Sequence, residues 1–222
     1  MNVCSQCLWE KTGSVDINPI SVVLQQVSTH KKETLLACVC EGFGEEKEGA
    51  TWSGYFTERL VEWFHGTYLK KLLEKGGETE ITKALKEEVE RTLEELRRYA
   101  KKKGELQIQY SGILIRNNQC WILGSGSKGL YLFNRRYNKE QAKPIIIPEG
   151  SVVWEGRVQK NIGILLCSDS LRKVYAGLEL SEVLFREKKC DEAGVEKRLK
   201  ELWREGQIRG IENVGAVYIC TY

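Results

Sequence analysis

Three acidic residues lie next to strand-like apolar runs and are the first candidates for chemistry in this chain. Glu41 follows one apolar run and precedes a Gly-Phe-Gly turn, Asp169 follows a second run, and Glu212 precedes the last one. Carboxylates are the side chains that ligate hard divalent cations, provided that the fold brings them together. Each acid also has an ordinary interpretation: a turn residue, the N-cap of a short helix starting at Ser170, and an acid before a final strand. The residues alone leave both interpretations open.

Cysteine is a second residue type in this chain that can bind metals. Cys4 and Cys7 form the only CxxC pair among eight cysteines. A structural zinc site needs four ligands, and no second CxxC or CxxH pair follows at a usable spacing. We therefore expect a mobile, reduced N-terminal tail. Cysteines within apolar runs are predicted to be small buried hydrophobic residues: Cys38, Cys40, Cys120, Cys167 and Cys220.

The charge of the chain argues against nucleic acid and membranes as partners. The formal net charge is only +3, so there is no strong field to attract nucleic acid or anionic lipid. The basic patch at 97–103 is most simply the solvated end of a helix. No uncharged apolar stretch of about 18 residues is present, and the N-terminus does not resemble a secretory signal. We expect a cytoplasmic protein without stable disulfides.

Strand and helix signals come in separate blocks. The runs 20–27 and 33–40 predict a β-hairpin. Apolar residues at steps of three and four predict a helix over 51–73, ended by Gly76 and Gly77, and a second helix N-capped by Thr79. Further strands are predicted at 106–116, 120–124, 129–134, 145–147, 152–154 and 162–167, further helices at 178–186 and 191–205, and a last strand at 214–221.

This order predicts the fold class. Strands and helices in separate blocks favour α+β with mainly antiparallel sheets over a doubly wound parallel sheet. Two antiparallel sheets packed face to face and flanked by helices, a four-layer αββα sandwich, would bury all the apolar faces. We expect an N-terminal tail over residues 1–15 and one domain over 16–222.

Four segments, in this order, resemble the signature segments of the type-2C, metal-dependent serine/threonine protein phosphatases. Segment 35–44 (LLACVCEGFG) is similar to the family's strand and Asp-Gly-Met-Gly-Gly turn, and 126–131 (GSKGLY) lies where the family has Gly-Asp-Ser-Arg-x-Tyr. Segment 163–171 (GILLCSDSL) resembles a strand ending in Ser-Asp-Gly-Leu, and 211–214 (IENV) stands for Asp-Asn-x-Thr. The resemblance covers most of the chain from about Ile20 and implies the αββα sandwich of that family.

The resemblance also implies a metal site. In the family, two Mn²⁺ or Mg²⁺ ions activate a bridging water that attacks phosphorus in line. By the matched motifs, Glu41 takes the place of the Asp that bridges both ions, and Gly42 supplies a carbonyl ligand. Asp169 keeps the family's residue, and Glu212 takes the place of the last Asp ligand.

Several positions depart from the family's pattern. Val15 stands at the phosphate-binding Arg, Ile20 at an acidic residue, Ser127 at an Asp, and Ser170 at a Gly. An apolar side chain cannot clamp a phosphate dianion as a bidentate Arg does. Glutamate in place of aspartate moves a carboxylate by about 1 Å, and misplacement on that scale costs about 100-fold in rate.

Three functions follow for comparison. The first is a catalytically weak or inactive phosphatase homologue that binds a phosphoprotein or regulatory protein partner and holds one weakly bound Mn²⁺ or Mg²⁺ or none. The alternative is an active, divergent phosphoserine/phosphothreonine phosphatase, with Lys11 or Arg172 binding the phosphate. The third is an unrelated α+β binding protein with Trp63 and Trp203 at an interface.

Overall fold

The structure of the chain, a computed structural model, describes residues 3–13, 17–29, 32–44, 46–75, 81–100, 106–125, 129–134, 143–144, 152–175, 180, 182–184 and 191–222. The helices in these ranges are α1 (Glu46–Trp63), α2 (Leu69–Lys75), α3 (Ile81–Ala100), α4 (Asp169–Val174) and α5 (Glu192–Ile208). A π-helical turn, Phe64–Tyr68, joins α1 to α2, and residues 180 and 182–184 are also helical. No helix of the described ranges is long and apolar enough to cross a membrane.

The strands form two antiparallel sheets. They are β1 (Val3–Lys11), β2 (Ile20–Thr29), β3 (Lys32–Phe43), β4 (Gln107–Arg116), β5 (Gln119–Ser125), β6 (Leu130–Asn134), β7 (Lys143–Pro144), β8 (Val152–Arg157), β9 (Ile162–Cys167) and β10 (Asn213–Thr221). The first sheet has the order β1-β10-β9-β6-β7, and the second has the order β2-β3-β4-β5-β8. The described strand pairs are antiparallel.

Side-chain alternation along the strands creates the layers. In β3, Leu36, Cys38 and Cys40 pack into a core shared with α1 and α3. The alternate residues Leu35, Ala37 and Val39 pack into a second core between the sheets, which also contains β9 and β10 residues. A third core joins β9 and β10 to α4, to Leu180, Val183 and Leu184, and to α5. The predicted α+β fold, a four-layer αββα sandwich, is confirmed.

Helix α1 is held on its sheet by a stripe of large apolar residues. Trp52, Phe56, Leu60 and Trp63 recur at steps of four, four and three, and each is at most 5% exposed. The helix begins at Glu46, five residues earlier than predicted, and the helical path is interrupted by the π-helical turn before α2. The prediction of a helix is therefore confirmed, but its start and the π-helical turn were not predicted.

A close backbone contact fixes the end of β3 against the start of α1. A Cβ atom on Gly42 would lie 2.0 Å from the carbonyl oxygen of Gly49, and a Cβ on Gly49 would lie 2.6 Å from the carbonyl oxygen of Gly42. Only glycine permits this approach. On the opposite sheet, a Cβ on Gly215 would lie 2.4 Å from Cγ2 of Ile20, so the two sheets also approach closely here.

The expected N-terminal tail is wrong for residues 3–11, because they form β1. This strand pairs with β10 along its whole length, from Val3 opposite Thr221 to Lys11 opposite Asn213. Cys4 and Leu8 are buried against the helices of that sheet. Pairing with β10 satisfies backbone groups of β1, although only two of its side chains are buried.

Some sequence predictions lie outside the described residues. These are the strand at 145–147, the helix end at Gly76-Gly77, the N-cap at Thr79 and most of the helix at 178–186. Among the cysteines, Cys38, Cys40, Cys120 and Cys167 are buried and unbonded, as predicted. Cys220 is disulfide-bonded, which contradicts the expectation of no disulfides.

Gly42→Ala is expected to lower the free energy of unfolding by about 1–3 kcal/mol or more, because the added methyl group meets backbone rather than a flexible side chain. Gly54→Ala in α1 is the control. Nothing lies within 4 Å of its Cβ position, so it should be neutral or stabilise by about 0.5–1 kcal/mol. Urea unfolding followed by tryptophan fluorescence measures both, and equal stabilities would contradict the contact.

Candidate functional site

Glu41 faces the space between the sheets at one end of the sandwich. It continues the alternation of Leu35, Ala37 and Val39, which face the core between the sheets. Its register partners are Ile20 on β2 and Gln109 on β4. Ile20 is 2% exposed and belongs to the same apolar core. On the neighbouring strands, Glu41 therefore has an apolar side chain on one side and an amide side chain on the other.

Asp169 faces Glu41 from the other sheet. Strand β9 ends at Cys167, Ser168 occupies the N-cap position, and α4 begins at Asp169. The backbone N–H of Asp169 donates a hydrogen bond to Oε2 of Glu41 over 2.8 Å. This bond joins the ends of the two sheets and also satisfies one of the free N–H groups of the helix start.

Two serine hydroxyls hold the turn between β9 and α4. Oγ of Ser168 lies 2.8 Å from Oγ of Ser170, and the Ser170 hydroxyl donates to the carbonyl oxygen of Asn213 over 2.8 Å. The backbone N–H of Ser168 donates to the carbonyl oxygen of Gly215 over 2.8 Å. Ser170, which stands where the resembling family has Gly, therefore ties the turn to β10.

The carboxylate of Asp169 is bound by two cations of its own helix. Nε of Arg172 lies 2.6 Å from Oδ1 and Nζ of Lys173 lies 2.8 Å from Oδ2, and Nη2 of Arg172 also contacts Oδ1. Burial acts to raise the pKa of Asp169, but the hydrogen bonds from Lys173 and Arg172 outweigh it and the pKa lies below its ordinary value. Asp169 is not the N-cap considered above, because the helix begins one residue earlier.

Glu41 has the opposite shift. Burial raises the pKa of its carboxyl above the ordinary value. The N–H of Asp169 and the charges of Lys173 and Arg172 act in the other direction, whereas the Asp169 carboxylate adds to the increase. The two carboxylates thus lie in unlike environments, one stabilised as an anion and one partly desolvated.

The space between these groups is small. The cavity at this point has a volume of about 10 Å³ and is lined by Val39, Glu41, Gln109, Cys167, Ser168 and Asp169. That is about the room that one water molecule requires. Two catalytic metal ions lie about 3.5–4 Å apart and need further oxygen ligands around them.

The remaining members of the predicted site are less closely associated with this pair. Glu212 is exposed, and its carbonyl oxygen accepts a hydrogen bond from the N–H of Thr12 over 2.8 Å. The Gly42 carbonyl faces Gly49 of α1. The part of the chain that the structure describes contains no group of three His, Cys, Asp or Glu residues that could hold a metal ion. Val15 and Ser127 lie outside the described residues.

The described residues do not fit the two-ion centre that the family resemblance implies. One of the two acids that meet is already paired with two cations, and the neighbouring position on β2 is Ile20. Hard divalent ions need several oxygen ligands. The metal roles of Glu41, Gly42, Asp169 and Glu212 stay predictions.

The sequence analysis missed Lys173 as part of the site and named Arg172 only as a candidate for phosphate. The sequence does indicate these ion pairs, because Arg172 and Lys173 follow Asp169 at the spacings of three and four that are typical of ion pairs on a helix surface. The indication is weak, because the helix is only six residues long.

Glu41→Ala is expected to destabilise the protein by about 1.5–3 kcal/mol, the usual contribution of a hydrogen bond to a charged group. Glu41→Gln keeps an acceptor oxygen and should lose less. The measurements are urea unfolding and the hydrogen-exchange rate of the Asp169 amide, which should rise in Glu41→Ala. An unchanged exchange rate would show that the bond between the sheets does not form.

Comparison with known proteins gives a result for structure only. No protein-family model matches the sequence, and no curated protein matches it significantly. Among solved structures, the catalytic domain of the serine/threonine protein phosphatase PstP in complex with two manganese ions has a TM-score of 0.70 and 15% identity, covering 98% of this chain and 97% of that chain. The serine/threonine phosphatase of Staphylococcus aureus has a TM-score of 0.78 and 15% identity, covering 100% and 96%. PppA, a key regulatory component of T6SS in Pseudomonas aeruginosa, has a TM-score of 0.73 and 18% identity, covering 100% and 99%. The chain therefore has the fold of the type-2C serine/threonine protein phosphatases.

Proposed function

We propose that this chain is a phosphatase-like domain of the type-2C family with an incomplete metal and phosphate site, inactive or feeble as a catalyst. It acts in the cytoplasm by binding or regulating a phosphoprotein or another protein partner. The observation that carries the proposal is the pairing of Asp169 with Arg172 and Lys173 beside the apolar Ile20.

Charge balance supports this proposal. Two divalent ions bring four positive charges, which a family site balances with carboxylates and the substrate phosphate. Here the Glu41 carboxylate binds the backbone N–H of Asp169, and two cations already lie against the Asp169 carboxylate. Adding two divalent ions would place them beside Arg172 and Lys173, where like charges repel.

The surroundings of Glu41 support the same proposal. In the pattern of the resembling family, the position of Ile20 beside Glu41 is acidic. Here Ile20 packs in the core between the sheets and lies close to Gly215 of the opposite sheet. A buried apolar side chain supplies neither a ligand nor a hydrogen bond to a hydrated ion. A single Mn²⁺ or Mg²⁺, held by Glu41, Gly42, Asp169 and Glu212, is the most that we propose, with weak affinity.

An active, divergent phosphatase is the second candidate. The observation in its favour is that Glu41 and Asp169, from distant parts of the sequence, do meet at one end of the sandwich. The similar solved structures include phosphatases of the same fold. This candidate requires that metal binding displace Arg172 and Lys173 from Asp169.

Turnover distinguishes the two candidates. We expect no hydrolysis of p-nitrophenyl phosphate or of a phosphoserine peptide above that of the Asp169→Asn variant, in excess Mn²⁺. The PstP catalytic domain, assayed in parallel, is the positive control. Robust turnover that Asp169→Asn abolishes would overturn the proposal and establish the second candidate.

Removing the two cations should improve metal binding. In Arg172→Ala/Lys173→Ala, the Asp169 carboxylate is free, and we expect the Kd for Mn²⁺ to fall about tenfold, equivalent to about 1.4 kcal/mol. Lys200→Ala is the matched control, because Lys200 forms a similar i,i+4 ion pair with Glu196 on α5. Calorimetric titration gives the Kd values. If wild type binds Mn²⁺ in the micromolar range and the double variant binds no better, the pairing does not limit the site.

A further inference from the structure

Strand β2 has an open edge next to α1. It lies at the end of its sheet and pairs only with β3 among the strands that the structure describes. The N–H of Gly42 donates to the carbonyl oxygen of Pro19 over 3.0 Å. This bond shows which residues of β2 point their backbone N–H and C=O groups toward β3. Since alternate residues of an antiparallel pair point their N–H and C=O groups outward, those of Ile20, Val22 and Leu24 face away from β3.

Part of this edge is satisfied by side chains, and part is not. The N–H of Ile20 donates to Oδ1 of Asn18 over 3.0 Å, and its carbonyl oxygen accepts from Nε1 of Trp9 over 2.6 Å. No described residue makes a hydrogen bond to the outward N–H or C=O of Val22 and Leu24. These two residues present the donor–acceptor pattern that another strand would complete.

A groove with a volume of about 640 Å³ runs along this segment of β2. Its α1 wall includes Gly54, Thr57 and Val61, which leave space for side chains of an incoming strand. At one end the hydroxyls of Ser21 and Thr57 are 2.7 Å apart. At the other end, Nε2 of His65, in the π-helical turn, lies 3.3 Å from Oε1 of Gln25. The groove therefore suits a segment of about four or five extended residues.

Carboxylates line the outer rim of the groove. Glu58 and Glu62 are exposed and belong to its lining. Arg59 lies 2.5 Å from Glu62 but is shared with Glu88 at 3.7 Å and Glu95 at 3.8 Å. Arg91 also pairs with Glu88, so two guanidinium groups stand against the four carboxylates of Glu58, Glu62, Glu88 and Glu95. The rim therefore stays negative and attracts a basic segment.

The same charges argue against a second copy of this chain in the groove. β2 contains no Lys or Arg between Ile20 and Thr29. Pairing β2 with β2 of another copy would bring the two Glu58–Glu62 rims together, and neither β2 would add a cation to offset them. Like charges at an interface oppose association.

We propose that this groove, formed by β2 and α1, binds an extended basic segment of a partner protein as an added sixth strand of the sheet. Backbone hydrogen bonds to Val22 and Leu24 supply affinity, and Glu58 and Glu62 select Lys or Arg side chains. This proposal does not depend on the Glu41–Asp169 site. A negative result for the groove therefore does not contradict the proposed function, and the reverse also holds.

The test uses the ¹⁵N-labelled chain of 222 residues and the probe acetyl-Val-Lys-Val-Lys-Val-amide, titrated by NMR. We expect saturable shifts of the Val22 and Leu24 amide signals. Gly54→Leu fills the groove, since nothing lies within 4 Å of its Cβ position, and should weaken binding at least tenfold. Gly66→Leu is the matched control, because its Cβ position is equally open but Gly66 does not line the groove.

Two further probes make the test specific. The same peptide with an N-methyl group on every residue lacks the backbone donors on both of its edges and should not bind. A Val-Glu peptide should bind at least tenfold more weakly, and Glu58→Gln/Glu62→Gln should remove that difference. Equal binding of the N-methylated peptide, or undiminished binding to Gly54→Leu, would overturn the proposal. A dimer in sedimentation analysis that Gly54→Leu dissociates would also overturn it, by showing that a second copy occupies the groove.

Discussion

The hydrogen bond from the Asp169 N–H to the Glu41 carboxylate is the contact on which the site depends. It joins the end of β3 to the start of α4, and hence one sheet of the sandwich to the other. Strand alternation delivers Glu41 beyond the last apolar layer of the core between the sheets, and the turn from β9 into α4 delivers the N–H of Asp169. The end of the sandwich is therefore closed by a bond between a carboxylate and a backbone N–H. Such a bond is short and charge-assisted, and it constrains the Glu41 carboxylate before any ligand arrives.

Under the function proposed above, that constraint accounts for a sandwich that is retained while its metal site is incomplete. The apolar layers, the Gly42–Gly49 contact and the approach of Gly215 to the opposite sheet stabilise the sandwich without metal. Once Asp169 is neutralised by cations within α4, the acids at the end of the sandwich no longer need an ion to balance their charge. Unpaired carboxylates crowded at one point would repel one another and weaken the fold. An apolar Ile20 beside Glu41 and the ion pairs of Asp169 both limit that repulsion, and both disfavour the binding of divalent ions.

Much of the fold was predictable because most elements carry strong periodic signals. The strand at 162–167 agrees with β9 at both ends, and α3 was recognised from its stepped apolar residues. β1 was not predicted, since only Cys4 and Leu8 of its nine residues are buried. Its stability comes from pairing with β10, which local sequence does not reveal. Within the site, motif order brought residues 41 and 169 together correctly. The ion pairs of Asp169 depend on where α4 begins, and helix boundaries are the least certain part of a sequence interpretation.

A binding role and a retained fold are consistent in physical terms. A catalyst of phosphate-ester hydrolysis must hold its metal ligands within a fraction of an ångström. The addition of a strand to β2 requires only a straight strand edge and side chains of complementary charge beside it. An edge strand exposed to solvent is a hazard for aggregation unless charge or short length limits what it accepts. Here Trp9 and Asn18 occupy one end of the β2 edge, and Glu58 and Glu62 flank the rest. The open segment is thereby shortened to a few residues and biased against acidic chains, and these are the properties that the proposed binding of a basic segment requires.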